Sequence, residues 1–184
     1  MKKFLKWLLI VLVSTLFIMV AIIACVDPSA DEGTTNKAMA DMTPQQIDLE
    51  LYRPVRSAMA SYNDISNMMQ QLDAGEASLS DLYDTCKQVK DWGLKWTDTI
   101  ETMTNDDTAE YAEAANDYVM SVSYGLATPI MDYIDNKEME SLSEAKETLK
   151  LLPSYYLNVE SARSAFLSKS GLTEEEIQQQ LALG

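Results

Sequence analysis

Apolar residues at alternating spacings of three and four constrain this chain most, because that spacing places them along one face of an α-helix. The clearest run extends to Met103 in a second helix that begins at Ser78, with Asp81 three residues on as a helix-start signal. Its stripe consists of Leu79, Leu82, Cys86, Val89, Gly93, Trp96, Ile100 and Met103. Such a stripe is typical of helices that pack in a bundle. No stretch alternates apolar and polar residues for long enough to begin a β-sheet.

A long first helix is predicted before this run. Thr43, Pro44 and Gln46 form a helix start, with a capping residue, a proline at the first helical position and a glutamine at the third. Apolar residues then recur at helical spacing until Gly75 ends the helix. Pro54 lies inside this helix and should kink it, because proline lacks a backbone N–H and clashes with the preceding turn.

A short turn over residues 105–108 leads to a third helix, which we expect to be the antiparallel neighbour of the second. If the two helices pair symmetrically about that turn, Trp96 faces Ala115. By the same symmetry, Gly93 faces Tyr118. A large side chain would then oppose a small one at both positions, as interdigitated packing requires.

A fourth helix is predicted to open at Ser141, with Glu144 completing a capping box, and to end at Gly171. Pro153 either kinks this helix or divides it in two. Another capping box then starts a short fifth helix over residues 174–182. The sequence therefore predicts an all-α fold, an up-and-down four-helix bundle with kinked long helices and a short C-terminal helix.

Residues 1–24 have the features of a signal peptide or membrane anchor. Three lysines precede an apolar run from Trp7 to Val26 that is interrupted only by Ser14 and Thr15. Positively charged flanks stay on the cytoplasmic side of a membrane. The part of the chain that follows the run is therefore predicted to lie outside the cytoplasm.

The order Ile22-Ile23-Ala24-Cys25 resembles the lipobox of bacterial lipoproteins, and this resemblance covers the leader alone. It implies that the Cys25 thiol receives a lipid, that a signal peptidase cuts before it, and that the lipidated cysteine becomes the mature N-terminus. The alternative is a retained transmembrane helix, because roughly 20 apolar residues suffice to cross a bilayer. Both interpretations attach the chain to a membrane.

The segment after the leader, residues 25–42, is predicted to be a flexible tether, because it is rich in small and acidic residues and has no apolar period. Residues 43–184 form the helical bundle domain. The net charge of the chain is −15 at pH 7. Phosphate backbones would repel so acidic a protein, so a nucleic-acid partner is not expected.

The chain contains no histidine, which removes the commonest general base and the commonest transition-metal ligand. Di-iron sites, zinc sites and Ser-His-Asp triads are excluded in their usual forms. The acidic runs also lack the spacing of an EF-hand calcium loop. Cys86 lies on an apolar stripe and is predicted to be a buried, inert thiol. We expect no catalytic residues, no metal and no cofactor.

Aromatic residues supply the candidates for contact with a ligand or partner. Trp92 and Trp96 lie four residues apart on one helical face that also carries lysines, and such a face can bind a sugar, a partner helix or an anionic group. The same pattern fits a core Trp96 flanked by Trp92. Tyr133, Tyr155 and Tyr156 lie close to prolines, where kinked helices splay and form clefts.

These patterns together predict a membrane-anchored, extracytoplasmic helical-bundle lipoprotein that acts as a binding or protein-interaction module at a bacterial cell surface. One alternative is a small-molecule receptor with a site between kinked helices. The other is a structural envelope spacer with no ligand. The expected partners are the membrane, through a lipid or an N-terminal helix, and an envelope protein. An enzyme is not expected.

Overall fold

The computed structural model describes residues 39–183 and shows an all-α fold, with no β-strand in that part of the chain. The fold class predicted from apolar spacing is therefore confirmed, whereas the up-and-down order of the helices stays a prediction. The leader, Cys25 and most of the tether lie outside the described residues. Within residues 39–183, no helix combines the length and the hydropathy that a bilayer span requires.

The helices follow one another with short connections. They are a 3₁₀ turn (Met39–Asp41), α1 (Pro44–Ala74), α2 (Leu79–Thr102), α3 (Ala109–Met120), a π-helical segment (Ser121–Leu126), α4 (Ala127–Asn136), α5 (Met139–Lys169) and α6 (Glu174–Leu181). The π segment joins α3 to α4 without a break, and we call this continuous unit the α3–π–α4 rod. The rod packs against α1, α2 and α5, around one cluster of buried apolar side chains.

The predicted starts of α1 and α2 are confirmed. Thr43 and Ser78 each accept a hydrogen bond from the third helical N–H, and the side chain at that third position accepts one from the capping residue's own N–H. Gly75 ends α1 with a φ of 80°, a left-handed conformation that costs glycine nothing sterically. Pro54 lies inside α1, which continues through it.

The predicted start of the fourth helix is wrong. The corresponding helix, α5, begins at Met139 after Glu138, which makes no side-chain capping bond. Ser141 is buried inside the first turn and is not a flanking residue. Tertiary packing has therefore overridden a local capping signal. The helix continues through Pro153, so the alternative in which this proline divides it is excluded.

The short C-terminal helix is confirmed, since α6 covers Glu174–Leu181 with the expected capping box between Thr173 and Glu176. Gly171 precedes it with a φ of 76°, so this residue reverses the chain between α5 and α6. Leu172 and Ile177 lie half-buried against the core. These two side chains lie at the start of α6 and in its first turn.

The predicted register between α2 and the α3–π–α4 rod is wrong. A Cβ placed on Gly93 would lie 2.3 Å from the Cβ of Ser123, so Gly93 faces Ser123 and not Tyr118. The hydroxyl of Thr97, one turn further along α2, lies 3.5 Å from the sulfur of Met120. The rod is displaced by more than one turn from the symmetric pairing. Two small residues, Gly93 and Ser123, therefore oppose each other, and their size allows α2 and the rod to approach closely in this register.

Candidate functional site

A groove of about 340 Å³ runs beside the π segment, between the α3–π–α4 rod and α5. It is open to solvent and is not an enclosed cavity. Eight residues line it, and we call this set the π groove: Asp117, Met120, Ser121, Tyr124, Gly125, Thr148, Leu151 and Tyr155. The groove therefore lies where the rod departs from regular α-helix, and single-turn π segments are frequent at functional sites.

Close contacts on both sides hold the π segment in place. On one side, Ser123 meets Gly93 of α2. On the other side, a Cβ on Gly125 would lie 3.0 Å from the Cγ2 of Thr148 on α5. Since neither glycine has a side chain, α2 and α5 both approach the rod closely at this level. The groove is thus built on packed helices and not on a loop.

The lining of the π groove is aromatic, hydroxylic and largely uncharged. Tyr124 and Tyr155 are half-buried, and Leu151 is 50% exposed. The Ser121 hydroxyl donates to the backbone oxygen of Asp117 at 2.7 Å. At the edge, the Lys90 ammonium lies 5.6 Å from the centre of the Tyr124 ring, a cation–π distance. Such a surface can bind through apolar contact and through hydroxyl hydrogen bonds.

The five aromatic residues predicted as contacts do not lie together. Tyr155 lines the π groove, whereas Tyr156, its neighbour in sequence, is buried in the core. Trp92 is 38% exposed on α2, and Trp96 is half-buried against the core, which fits the interpretation of Trp96 as a packing residue. Tyr133 lies near the end of α4, with the Lys137 ammonium 5.7 Å from its ring centre. The contact role of each residue stays a prediction.

A second polar feature was not predicted at all. Arg163 of α5 and Asp48 of α1 form a two-pronged ion pair, with Nε to Oδ1 at 2.8 Å and Nη2 to Oδ2 at 2.9 Å. Both side chains are fully buried. Arginine suits this position, because its planar guanidinium matches both oxygens of a carboxylate at once.

Two further residues make hydrogen bonds to this ion pair. The Tyr111 hydroxyl donates to Asp48 Oδ1 at 3.2 Å, and Gln180 Nε2 donates to Oδ2 at 2.9 Å. Arg163 Nη2 also donates to the backbone oxygen of Gln180 at 2.8 Å. We call these four residues the Asp48 network. It joins α1, α3, α5 and α6, so it ties both ends of the domain sequence together.

A tyrosine chain extends the Asp48 network along α5. The Tyr52 ring lies 3.8 Å from Arg163 Cζ, and the Tyr52 hydroxyl donates to Glu160 Oε1 at 2.7 Å. Because that hydroxyl has one proton, the 3.1 Å bond between Tyr52 and Tyr156 has Tyr156 as its donor. The Tyr156 ring in turn packs edge-on against Tyr118.

Burial and the Asp48 charge together determine the protonation states of Tyr52, Tyr111 and Arg163. It raises the pKa of Tyr52 and of Tyr111, and the nearby Asp48 charge raises the pKa of Tyr111 further. Burial alone would lower the pKa of Arg163, but the hydrogen bonds and charge of Asp48 outweigh it and raise that pKa. The tyrosines therefore stay neutral and Arg163 stays charged.

Cys86 lies in the core, as its place on the apolar stripe predicted. Burial raises the pKa of its thiol to about 12. Because the thiolate is the reactive form of cysteine, this side chain is poorly reactive at neutral pH.

A signal for the Asp48 network was present in the sequence. Arg163 continues the apolar spacing of α5 after Val159 and before Phe166, and Asp48 lies between the apolar residues Ile47 and Leu51. A charged residue on an apolar stripe of each of two helices indicates a buried pair, since unpaired buried charges are very costly. The pattern does not say which charges meet.

Among residues 39–183, no group of three or more histidine, cysteine, aspartate or glutamate side chains is placed to hold a metal ion. No protein-family model, curated protein or solved structure matches this chain.

Proposed function

We propose that this chain is a membrane-anchored, extracytoplasmic binding module, a bacterial lipoprotein whose π groove receives a segment of a partner protein in the cell envelope. The observation that carries the proposal is the position of the groove. It lies at the π segment, between packed helices, and it presents two tyrosines and an exposed leucine. Rigid helices position contact residues more accurately than loops do.

The openness of the groove favours a protein segment over a small molecule. Pockets for small ligands enclose most of the ligand surface, typically about 70–90%. A groove of about 340 Å³ that is open along one side leaves much of a small ligand in water. Tyrosine and methionine are also enriched at protein interfaces. Leu151, half-exposed beside Met120 and Tyr155, would gain from being covered.

Charge adds a preference about the partner. The net charge of −15 attracts basic proteins over long range and repels acidic ones. Such steering raises association rates and weakens with salt. We therefore expect a partner with basic residues beside the segment that enters the groove.

Site-specific photo-cross-linking in intact cells tests the groove. A benzophenone amino acid replaces Leu151 in one variant and Leu157 in the matched control, which lies on the same helix, is 65% exposed and does not line the groove. We expect one protein to be cross-linked at position 151 and not at position 157. Equal capture at both positions, or none at position 151, would contradict the proposal. Stabilisation of the domain by a small molecule, with no protein captured, would favour the receptor alternative.

The anchor is tested separately, on the leader sequence. Metabolic labelling with a fatty-acid analogue should label the chain, and the Cys25→Ala variant should carry no label. Lipidation at this cysteine fits stable anchoring, because several acyl chains hold a protein far more firmly than one. Continued labelling of the variant would exclude Cys25 as the attachment site, and an unlabelled but membrane-bound wild-type chain would favour the retained helix.

A further inference from the structure

The C-terminal helix α6 has few apolar contacts for the number of hydrogen bonds it makes. Most of its side chains are exposed, and its apolar contacts with the core come from Leu172, Ile177 and Leu181, all half-buried. Gln180 is the one buried residue of α6. Gly171, whose left-handed φ of 76° marks a sharp turn, lies three residues before the start of α6. Apolar burial therefore contributes little to the docking of α6.

Most hydrogen bonds that attach α6 to the rest of the bundle are made by Gln180. Its side-chain nitrogen donates to Asp48 Oδ2 at 2.9 Å and to the backbone oxygen of Gln45 at 3.1 Å. Its backbone oxygen accepts from Arg163 Nη2 at 2.8 Å. One more bond, from Arg56 to the backbone oxygen of Leu183, lies on the surface. The attachment of α6 thus depends on the buried ion pair.

The closed arrangement carries a cost that opening would relieve. Arg163 Nη1 is buried and has no hydrogen-bond partner among the described residues. A buried charged group with an unmade hydrogen bond is destabilising. Because Nη2 of the same guanidinium is bonded to the backbone oxygen of Gln180, opening of α6 would admit water to this group. The ion pair itself would also be hydrated in the open form. Opening therefore exchanges three protein hydrogen bonds of Gln180 for hydration of Arg163 and Asp48.

We propose that α6 is a clasp: it opens as a unit about Gly171 while the rest of the bundle stays folded, with Gln180 as the catch on the Asp48–Arg163 pair. Opening uncovers a charged face formed by Asp48, Arg163 and the first turns of α1. This face lies at the end of the domain where residues 39–43 enter the bundle. Access to it is therefore controlled by α6, independently of the π groove.

Hydrogen exchange of the full-length chain, followed by mass spectrometry, tests the clasp. We expect the amides of α6 to exchange far faster than those of α1, α2 and α5, and their exchange to change little with low urea concentrations, because local opening exposes little surface. Exchange of α6 only at the rate of the core helices, with the same urea dependence, would overturn the proposal. This measurement needs no variant.

A matched pair of variants then tests the catch. Gln180→Ala removes the two bonds donated by the side chain and should speed exchange in α6 roughly tenfold, while the amides of α2 and α4 stay unchanged. Gln179→Ala changes the neighbouring exposed glutamine of the same helix and should alter nothing. Equal effects of the two substitutions, or a Gln180→Ala effect spread evenly over the whole domain, would contradict the assignment of Gln180 as the catch.

Discussion

The Asp48 network and the π groove are two regions of the described fold with polar side chains, and they differ in what surrounds them. In the network, a carboxylate and a guanidinium are fully buried and bonded to each other. Side chains of two other helices donate further hydrogen bonds to the carboxylate. In the groove, hydroxyls and one carboxylate face solvent. Buried polar groups must find partners inside the fold, so they specify how helices assemble. Exposed polar groups do not need a partner inside the fold and can contact a ligand or a partner protein.

Two neighbouring residues make the same contrast within a single helix. Tyr155 lines the groove, and the Tyr156 hydroxyl donates a hydrogen bond to the Tyr52 hydroxyl in the core. Successive residues of an α-helix point about 100° apart, so one tyrosine serves each region. No sequence pattern distinguishes the two tyrosines, and only their surroundings in the fold give them different roles.

The largest effect is expected from breaking the buried ion pair. Asp48→Ala leaves the Arg163 charge buried without its partner, which should cost about 3–5 kcal/mol in the free energy of unfolding measured with urea. Replacing both residues by apolar ones, in Asp48→Leu with Arg163→Met, should cost much less than the single change, because no charge is then stranded. Glu147→Ala is the control, since its partner Lys150 lies in an exposed pair that should matter little. An Asp48→Ala variant as stable as this control would remove the distinction between the two regions.

An intermediate effect is expected at the contact between α2 and the π segment, next to the groove residue Tyr124. Gly93→Ala should gain about 1 kcal/mol from helix propensity alone. The new Cβ would lie 2.3 Å from Ser123 Cβ, however, and overpacking of about 1–3 kcal/mol should reverse the sign. Gly125→Ala is the milder comparison, because its nearest neighbour is a side-chain methyl at 3.0 Å. A melting temperature that rises in Gly93→Ala would disprove the register assigned to α2 and the π segment.

The smallest effect on stability is expected from removing the hydroxyl of each of the two adjacent tyrosines in turn. Tyr156→Phe removes a buried hydrogen bond to Tyr52 and should cost about 0.5–1.5 kcal/mol of stability. Tyr155→Phe removes a hydroxyl from the groove and should leave stability unchanged while lowering the yield of cross-linking at position 151. Urea unfolding and the cross-linking assay report the two effects separately. Equal losses of stability would show that Tyr155 also belongs to the packed interior.

Local signals located most of the helices. The capping boxes at Thr43, Ser78 and Thr173 satisfy backbone groups with side chains only three residues away, so no distant residue is needed to interpret them. The same pattern failed at Ser141, because burial placed that side chain inside the helix. Cys86 was correctly placed in the core by its position on an apolar stripe.

The candidate sites were harder to predict than the helices. The sequence singled out Tyr155, but the π segment that shapes its groove has no pattern that distinguishes it from α-helix. The Asp48 network was not predicted, because its two charged residues lie at opposite ends of the domain sequence. A stripe shows that a charge faces inward, and it does not identify the partner.

The sequence by itself determined the all-α class, the helix starts that depend on local caps and the charge of the chain. These properties depend on residues within one or two turns of each other, or on composition. Only the tertiary structure decided the register of Gly93 on Ser123, the pairing of Asp48 with Arg163 and the opening of the groove beside the π segment. Each of these depends on which helix faces come together, because close packing and the cost of unpaired buried charge act between residues far apart in the chain.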